Sequence, residues 1–224
     1  MQYPTLGVHN WDEEWDFVKR RLEENGFDTF GGGCIAAYPF RSRFHHTMRV
    51  MNWAKRILLD RPKVDLEVLE LAIIFHDVGY CMGDNTHHQK NSATIFHEYR
   101  EHKKDAEGIW LDDRKLDFIE WLIENHSMKG MLATGEAPDE LVILMEADVL
   151  DEEGAMRIAW DNMAAGVCGA KSFAESLERT EKYWGPDYMP MITPLAKNFF
   201  EKKQAFVKEY IWQMKFDLGL VEEV

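Results

Sequence analysis

Four separate helical stripes in this chain end on a side chain that can bind a cation. The clearest runs through Leu71-Ala72-Ile73-Ile74-Phe75-His76-Asp77-Val78-Gly79. Read as a helix, Leu69, Ala72, Ile73 and His76 fall at i, i+3, i+4 and i+7, so a core-facing apolar stripe carries an imidazole at its inner end. Gly79 suits the left-handed position just past a helix C-terminus. Asp77 lies one residue round and can reach the same point in space. A carboxylate beside a buried ring costs several kcal/mol unless something pairs with it. A metal ion would do so; for this pair by itself, an ordinary hydrogen-bonded core histidine explains as much.

Repetition changes that balance. A helix from about Ser42 to Asp60, stopped by Arg61-Pro62, places His46, Val50, Trp53 and Ile57 on one face, while its neighbour His45 points to solvent. A later helix, from about Asp113, carries Ile119, Leu122, Ile123 and His126 at the same spacing. After the loop Thr134-Gly135-Glu136-Ala137-Pro138, Leu141, Leu144, Met145 and Asp148 repeat it again, now with an aspartate in the terminal place. His46, His76, Asp77, His126 and Asp148 therefore converge as candidate ligands. Two or three imidazoles with two carboxylates and no sulfur suit manganese, iron, cobalt, nickel or zinc, and disfavour calcium.

The rest of the chain sets limits. At 224 residues, 46% hydrophobic and 29% charged, it fits one globular core. A formal charge of −14 repels nucleic acid backbones and anionic membranes, so neither is an expected partner. Cys34, Cys81 and Cys168 are odd in number and scattered, which argues against a disulfide framework and a thiolate zinc site. No basic leader and no membrane-length apolar run is seen, so the cytoplasm is the expected compartment.

No alternating strand pattern and no internal repeat is present, and the expected class is all-α. Asn10 with Glu13 resembles a capping box ahead of Trp11, Trp15, Val18 and Leu22, up to a break at Asn25-Gly26. Phe30-Gly31-Gly32-Gly33 lacks the residues of a phosphate-binding loop and reads as a linker. Beyond the loop Tyr80–Asn85, a helix through His87, His88, Ser92, Ala93 and Phe96 puts His88 and Ser92 on one face; His97 and His102 fall on a charged, exposed segment ending near Gly108. Ala155 to Ala165 reads as a helix with Met156, Ala159, Trp160 and Met163 packed inward. Pro186, Pro190 and Pro194 mark an irregular connection, and Thr193-Pro194 opens a last helix through Phe199, Phe200, Phe206, Tyr210 and Ile211.

The order His46, His76-Asp77, Asp148 resembles the H…HD…D signature of HD-domain metal-dependent phosphohydrolases. His46-Thr47-Met48-Arg49-Val50, Phe75-His76-Asp77-Val78-Gly79 and Ala147-Asp148-Val149-Leu150-Asp151 resemble its three motifs. His88 with Ser92-Ala93, and Asn125-His126-Ser127, resemble further motifs of a bacterial HD subgroup acting on small phosphorylated compounds. The resemblance spans roughly Phe44 to Trp160. It implies a single all-α domain with an HD-type helical core over about 42–165, an N-terminal extension over 1–41 and a C-terminal helical region over 166–224. It implies that His46, His76, Asp77 and Asp148 bind one divalent transition metal, which would polarise a phosphoryl oxygen and activate water. His88 and His126 would then hold a second metal, contact the phosphate or shuttle a proton, and with Asp77 they are the expected catalytic residues, unless the two histidines only orient the ligands.

An anionic substrate needs local positive charge. Arg43, Arg49, Lys90, Lys129 and Arg157 lie near the ligands in sequence, and Lys90 and Arg157 are the first candidates for substrate binding. Asp151, Glu152 and Glu153 read as a solvated acidic turn. The expected activity is hydrolysis of a nucleotide or small phosphate ester. A di-iron oxygenase of the same fold and a metal-stapled, ligand-sensing module without turnover are the alternatives, and self-association stays open.

Overall fold

The computed structural model describes residues 3–7, 9–25, 42–60, 63–83, 86–107, 110–167, 172–185 and 189–221. The glycine loop Phe30–Gly33, Gly26, Cys34, Arg61-Pro62, Asp84, Asn85, Gly108, Cys168 and Pro186 lie outside them. The described residues are helical and contain no strand: α1 (Asp12–Asn25), α2 (Arg43–Ile57), α3 (Leu66–Phe75), α4 (His88–Glu107), α5 (Asp113–Asn125), α6 (Gly130–Thr134), α7 (Asp139–Glu152), α8 (Ala155–Val167), α9 (Phe173–Glu181) and α10 (Pro194–Asp217). Short 3₁₀ turns follow α2 at Leu58–Asp60 and α3 at Val78–Met82. The chain is all-α. No helix among the described residues is long and apolar enough to cross a membrane.

Local signals set most starts. Ser42, Asp65, Asp112, Ser172 and Thr193 each accept from a backbone amide at a helix N-terminus, and Pro194 occupies the first turn of α10. Asn10 Oδ1 accepts from the amide of Asp12 in the same way.

α3 is the central helix. Every residue from Val68 to Tyr80 is buried, with α2, α5 and α7 packed around it, so its sequence is apolar on all sides rather than striped. Even Glu70 is inside, and its carboxylate is satisfied by a strap from the N-terminus: Thr5 Oγ1 at 2.5 Å, Trp11 Nε1 at 2.8 Å and the amides of Leu6 and Gly7. Glu146 on α7 does the same for the start of α10, accepting from the Thr193 amide at 2.9 Å, the Thr193 hydroxyl at 2.7 Å and the amide of Ile192.

Two details depart from the sequence reading. The helix ends at Phe75, with His76 and Asp77 in a turn, and Gly79 is not left-handed. It is glycine because α4 arrives on top of it: a Cβ there would lie 2.2 Å from the carbonyl oxygen of His88 and 2.4 Å from the amide nitrogen of Ser92. That close approach lets the Gly79 amide donate to Ser92 Oγ at 2.8 Å and fixes the start of α4 against the His-Asp turn.

The second departure is α8. Met156 and Met163 are each 48% exposed, and the buried side is Ile158, Asp161, Ala164 and Ala165. Both faces of this helix are apolar, so spacing could not choose between them. Ile158 joins Leu177, Val207 and Ile211 in a small separate core shared with α9 and α10. In α10, likewise, Phe200 and Ile211 are buried while Phe206 is exposed. Gly154 makes the left-handed break between α7 and α8 (φ 73°), tight against Lys203 of α10.

Candidate metal centre and adjoining cleft

The stripe ends do meet. His46 stands on the first turn of α2, His76 and Asp77 just past α3, His126 just past α5 and Asp148 on the last turns of α7. His46 Nε2 lies 3.2 Å from Asp148 Oδ1 and 3.4 Å from Asp77 Oδ2, and His76 Nε2 lies 3.5 Å from that same Asp77 oxygen. The other oxygen of Asp77 faces the opposite side: His126 Nε2 is 3.4 Å and His88 Nε2 3.5 Å from Oδ1, and the two Nε2 atoms are 3.3 Å apart. Asp77 therefore stands between two groups of imidazoles and offers one oxygen to each.

The backbone decides how the rings are presented. His76 Nδ1 donates to the carbonyl of Ile73 and His126 Nδ1 to that of Ile123, each at 2.7 Å. A carbonyl only accepts, so Nδ1 carries the proton and Nε2 keeps a lone pair directed into the site. Burial pulls the His76 pKa down to about 4, which keeps that ring neutral.

The His46 ring is oriented differently, by Asp151 Oδ2 at 2.8 Å from Nδ1, and Asp151 is in turn clamped by Arg49 at 2.8 and 2.9 Å. Burial would lower the His46 pKa, but the carboxylates of Asp148 and Asp151 beside the ring override it and lift it to about 10. Burial works against ionised Asp77, yet His76 and Arg43 hold its carboxyl well below the usual range; Lys129, at 2.6 Å, does the same for Asp148 at the site's edge. The centre is a place where positive charge is strongly favoured.

A divalent cation fits this donor set. The Nε2 atoms of His46 and His76 are buried and have no hydrogen-bond partner, although both face carboxylate oxygens. Unpaired buried nitrogens are costly unless another group takes their lone pairs. Ligand bonds of about 2.1 Å at tetrahedral or right angles put neighbouring donors roughly 3.0–3.4 Å apart, close to the separations in this site. Among the described residues, two groups have ligand atoms within 4.8 Å of one another: His46, His76 and Asp148, and His76, Asp77 and His126.

Several contributors were not legible as such. Asp151 and Glu153 are both 3% exposed, so this is no solvated acidic turn: Asp151 lies three residues after Asp148, on the same inward face of α7. That spacing was the available signal. Buried Arg43 reaches Asp77 Oδ2 at 3.0 Å and Glu152 at 3.1 Å, and lies 4.0 Å over the Tyr80 ring, which stacks on His88 at 4.4 Å. Of the two cations favoured from sequence, Lys90 is exposed on the first turn of α4, outside the hydrogen-bond network around Asp77. Arg157 lines a neighbouring cleft, 3.6 Å over the ring of Tyr183 and 3.3 Å from Asp161.

That cleft is open to solvent and adjoins His46 on its Asp151 side. His46, Arg49, Asp151 and Glu152 form one side, and Met156, Arg157, Ala159, Trp160 and Met163 of α8 form the other.

The HD domain family model matches residues 43–153, which contain every ligand candidate. This is an HD-domain superfamily protein. Solved structures share its fold. The Lin1889 protein of Listeria innocua is 20% identical with a TM-score of 0.62, over 96% of this chain and 100% of that one. An HD-superfamily hydrolase of Bacillus thuringiensis is 18% identical with a TM-score of 0.58, over 93% and 96%. Bacillus subtilis YpgQ, solved in complex with ADP, is 18% identical with a TM-score of 0.55, over 92% and 93%. A search of curated protein sequences found no match to this HD-domain chain.

Proposed function

We propose that this HD-domain protein is a metal-dependent phosphohydrolase acting on a nucleotide or small phosphate ester. The observation that carries the reading is the pair of buried, unpartnered Nε2 atoms of His46 and His76, aimed among the carboxylate oxygens of Asp77 and Asp148. His46, His76, Asp77 and Asp148 would hold the ion. When bound, a divalent cation supplies Lewis-acid charge to a phosphoryl oxygen and acidifies water.

The chain's own residues do the rest. Arg43 and Lys129 add fixed positive charge beside the acids, so a phosphate anion meets attraction at this point despite the overall charge of −14. The open edge of the site is formed by His88, Asp148 and Lys129, whose side chains are 14%, 16% and 19% exposed. Hydrolysis joins a water oxygen to phosphorus and breaks the bond to the leaving oxygen, which must gain a proton. His126, whose Nε2 keeps a lone pair, and His88 would take the proton that the attacking water gives up and pass it to that oxygen, with Ser127 Oγ 3.2 and 3.3 Å from the Nε2 atoms of His88 and His126. A nucleotide is one substrate of suitable charge.

A second reading follows from Asp77. One oxygen towards His46 and His76 and the other towards His88 and His126 is an arrangement that two ions could share, and a di-iron pair would support oxygenase chemistry.

The deciding experiment strips the purified protein with a chelator and reconstitutes it with Mn²⁺, Co²⁺, Ni²⁺, Zn²⁺ or Fe²⁺, under air and under nitrogen. Phosphate or pyrophosphate release from nucleotides and phosphate esters, restored by metal and indifferent to oxygen, is the expected result. Oxygen-dependent turnover restored only by iron would replace the hydrolase with the second reading.

A further inference from the structure

We propose that Lys129 is the residue that grips the substrate phosphate, and that it selects a phosphoryl group carrying two charges over a phosphodiester, which carries one. The proposal rests on the phosphohydrolase reading and deepens it.

Position is the first argument. Lys129 stands three residues past His126, in the turn before α6, where its amide donates to the Ser127 carbonyl at 3.0 Å. Buried Leu132 pins α6 to the core, so the backbone of Lys129 is fixed beside the His126-Ser127 pair. The side chain crosses to α7 and sets its ammonium on Asp148 Oδ2 at 2.6 Å. One residue thus joins the histidine turn to a metal-ligand helix.

The donor count is the second. An ammonium carries three N–H groups. Asp148 Oδ2 takes one, and the Met145 carbonyl, at 3.4 Å, takes another. The third has no acceptor among the described residues, and the side chain is 19% exposed at the open edge of the site. The other cations named above are engaged or lie elsewhere. Arg43 is buried between Asp77 and Glu152, Arg49 holds Asp151 behind the Nδ1 edge of His46, and Lys90 is exposed outside the network.

Charge is the third. Asp148 gives Oδ2 to Lys129 while Oδ1 faces His46 Nε2 at 3.2 Å, so this carboxylate already spans the metal centre and the ammonium. A phosphoryl group has a similar spacing of oxygens and can lie beside it, one oxygen over the centre and one on the third N–H. A monoester keeps two charges, so one remains for Lys129 after the centre is served. A diester keeps one, and its two substituents would both have to pass an edge whose residues are only 14–19% exposed.

The test measures calorimetric binding of inorganic phosphate and of dimethyl phosphate to the Mn²⁺-reconstituted protein at pH 8, for wild type, Lys129→Met and Lys129→Arg. Mn²⁺ affinity is titrated separately for each. The grip predicts that K129M binds phosphate about 10–100-fold more weakly even at saturating Mn²⁺, and loses at most about threefold on dimethyl phosphate. K129R, which keeps the charge, should stay within about threefold of wild type on phosphate. Phosphate binding that excess Mn²⁺ restores to K129M would make Lys129 only an orienting partner of Asp148 and overturn the proposal. Equal losses on both probes, no loss on either, or no phosphate binding by wild type would overturn it too. Hydrolysis is scored apart from binding: phosphate lost by K129M in a protein that turns over no ester keeps the grip and removes the hydrolase, and turnover with phosphate binding indifferent to K129M does the reverse.

Discussion

The two sides of the cleft are built on opposite plans. On the metal side each side chain is held by a second group, and all but Asp148 are buried: His46 by Asp151, His76 and His126 by carbonyls, Asp77 by Arg43, Asp148 by Lys129. On the α8 side the lining is mostly apolar: Met156 and Met163 are half-exposed, beside Ala159 and Trp160, with Arg157 lying over the Tyr183 ring. Ion binding tolerates errors of a few tenths of an ångström at most, so its donors need orienting partners. An apolar lining tolerates more.

The strongest way to break this contrast is His76→Ala. The ring is fully buried and supplies an ion-facing nitrogen to both candidate ligand groups. Loss of bound metal by elemental analysis and at least about 100-fold lower turnover are expected. His76→Gln, which fills more of the space, guards against a result caused by unfolding. Full turnover in a folded H76A protein would mean that the metal side is not the reactive side.

Asp151→Asn sharpens the contrast by touching only an orienting group. The amide keeps the shape but loses the charge that holds His46 Nδ1 and Arg49. Metal affinity should fall about 10–100-fold, as is usual when such a partner is neutralised, and saturating metal should restore much of the rate. Titration of the stripped protein with Mn²⁺ reads this directly. An unchanged affinity would show that Asp151 is merely a structural partner of Arg49.

How much of this was legible follows the same division. A histidine or aspartate closing an apolar stripe is an anomaly that spacing exposes, and four such anomalies with matching neighbours gave His46, His76, Asp77, His126 and Asp148 as one group. Asp151 was visible only as one acid among three, because sequence does not show which acid of a run turns inward. Gly79 read as a helix stop; its real constraint is a long-range collision with α4, which local pattern does not carry. The α8 face was misassigned because Met156 and Ile158 are equally apolar, and only α9 and α10 decide which face is covered.

The smallest effect lies at the joint between the two plans. Glu153 follows α7, just before the Gly154 break; it is 3% exposed, and Oε2 lacks a hydrogen-bond partner. Burial lifts its pKa from 4.5 to about 7, against the pull of Arg157. Between those values the folded chain keeps a proton that the unfolded chain has lost, so stability falls as pH rises through that window and stays lower above it. Glu153→Gln removes the titration. The variant should match wild type near pH 4 and exceed it at pH 8 by up to about 3 kcal/mol, read as the difference in urea midpoints at each pH. Metal content should not change, because the substitution leaves both sides of the cleft intact. A wild-type minus variant difference that is flat across pH would mean that Arg157 and Lys203 keep Glu153 ionised. The joint would then be an ordinary ion pair rather than a buried, protonated acid holding α7 against α10.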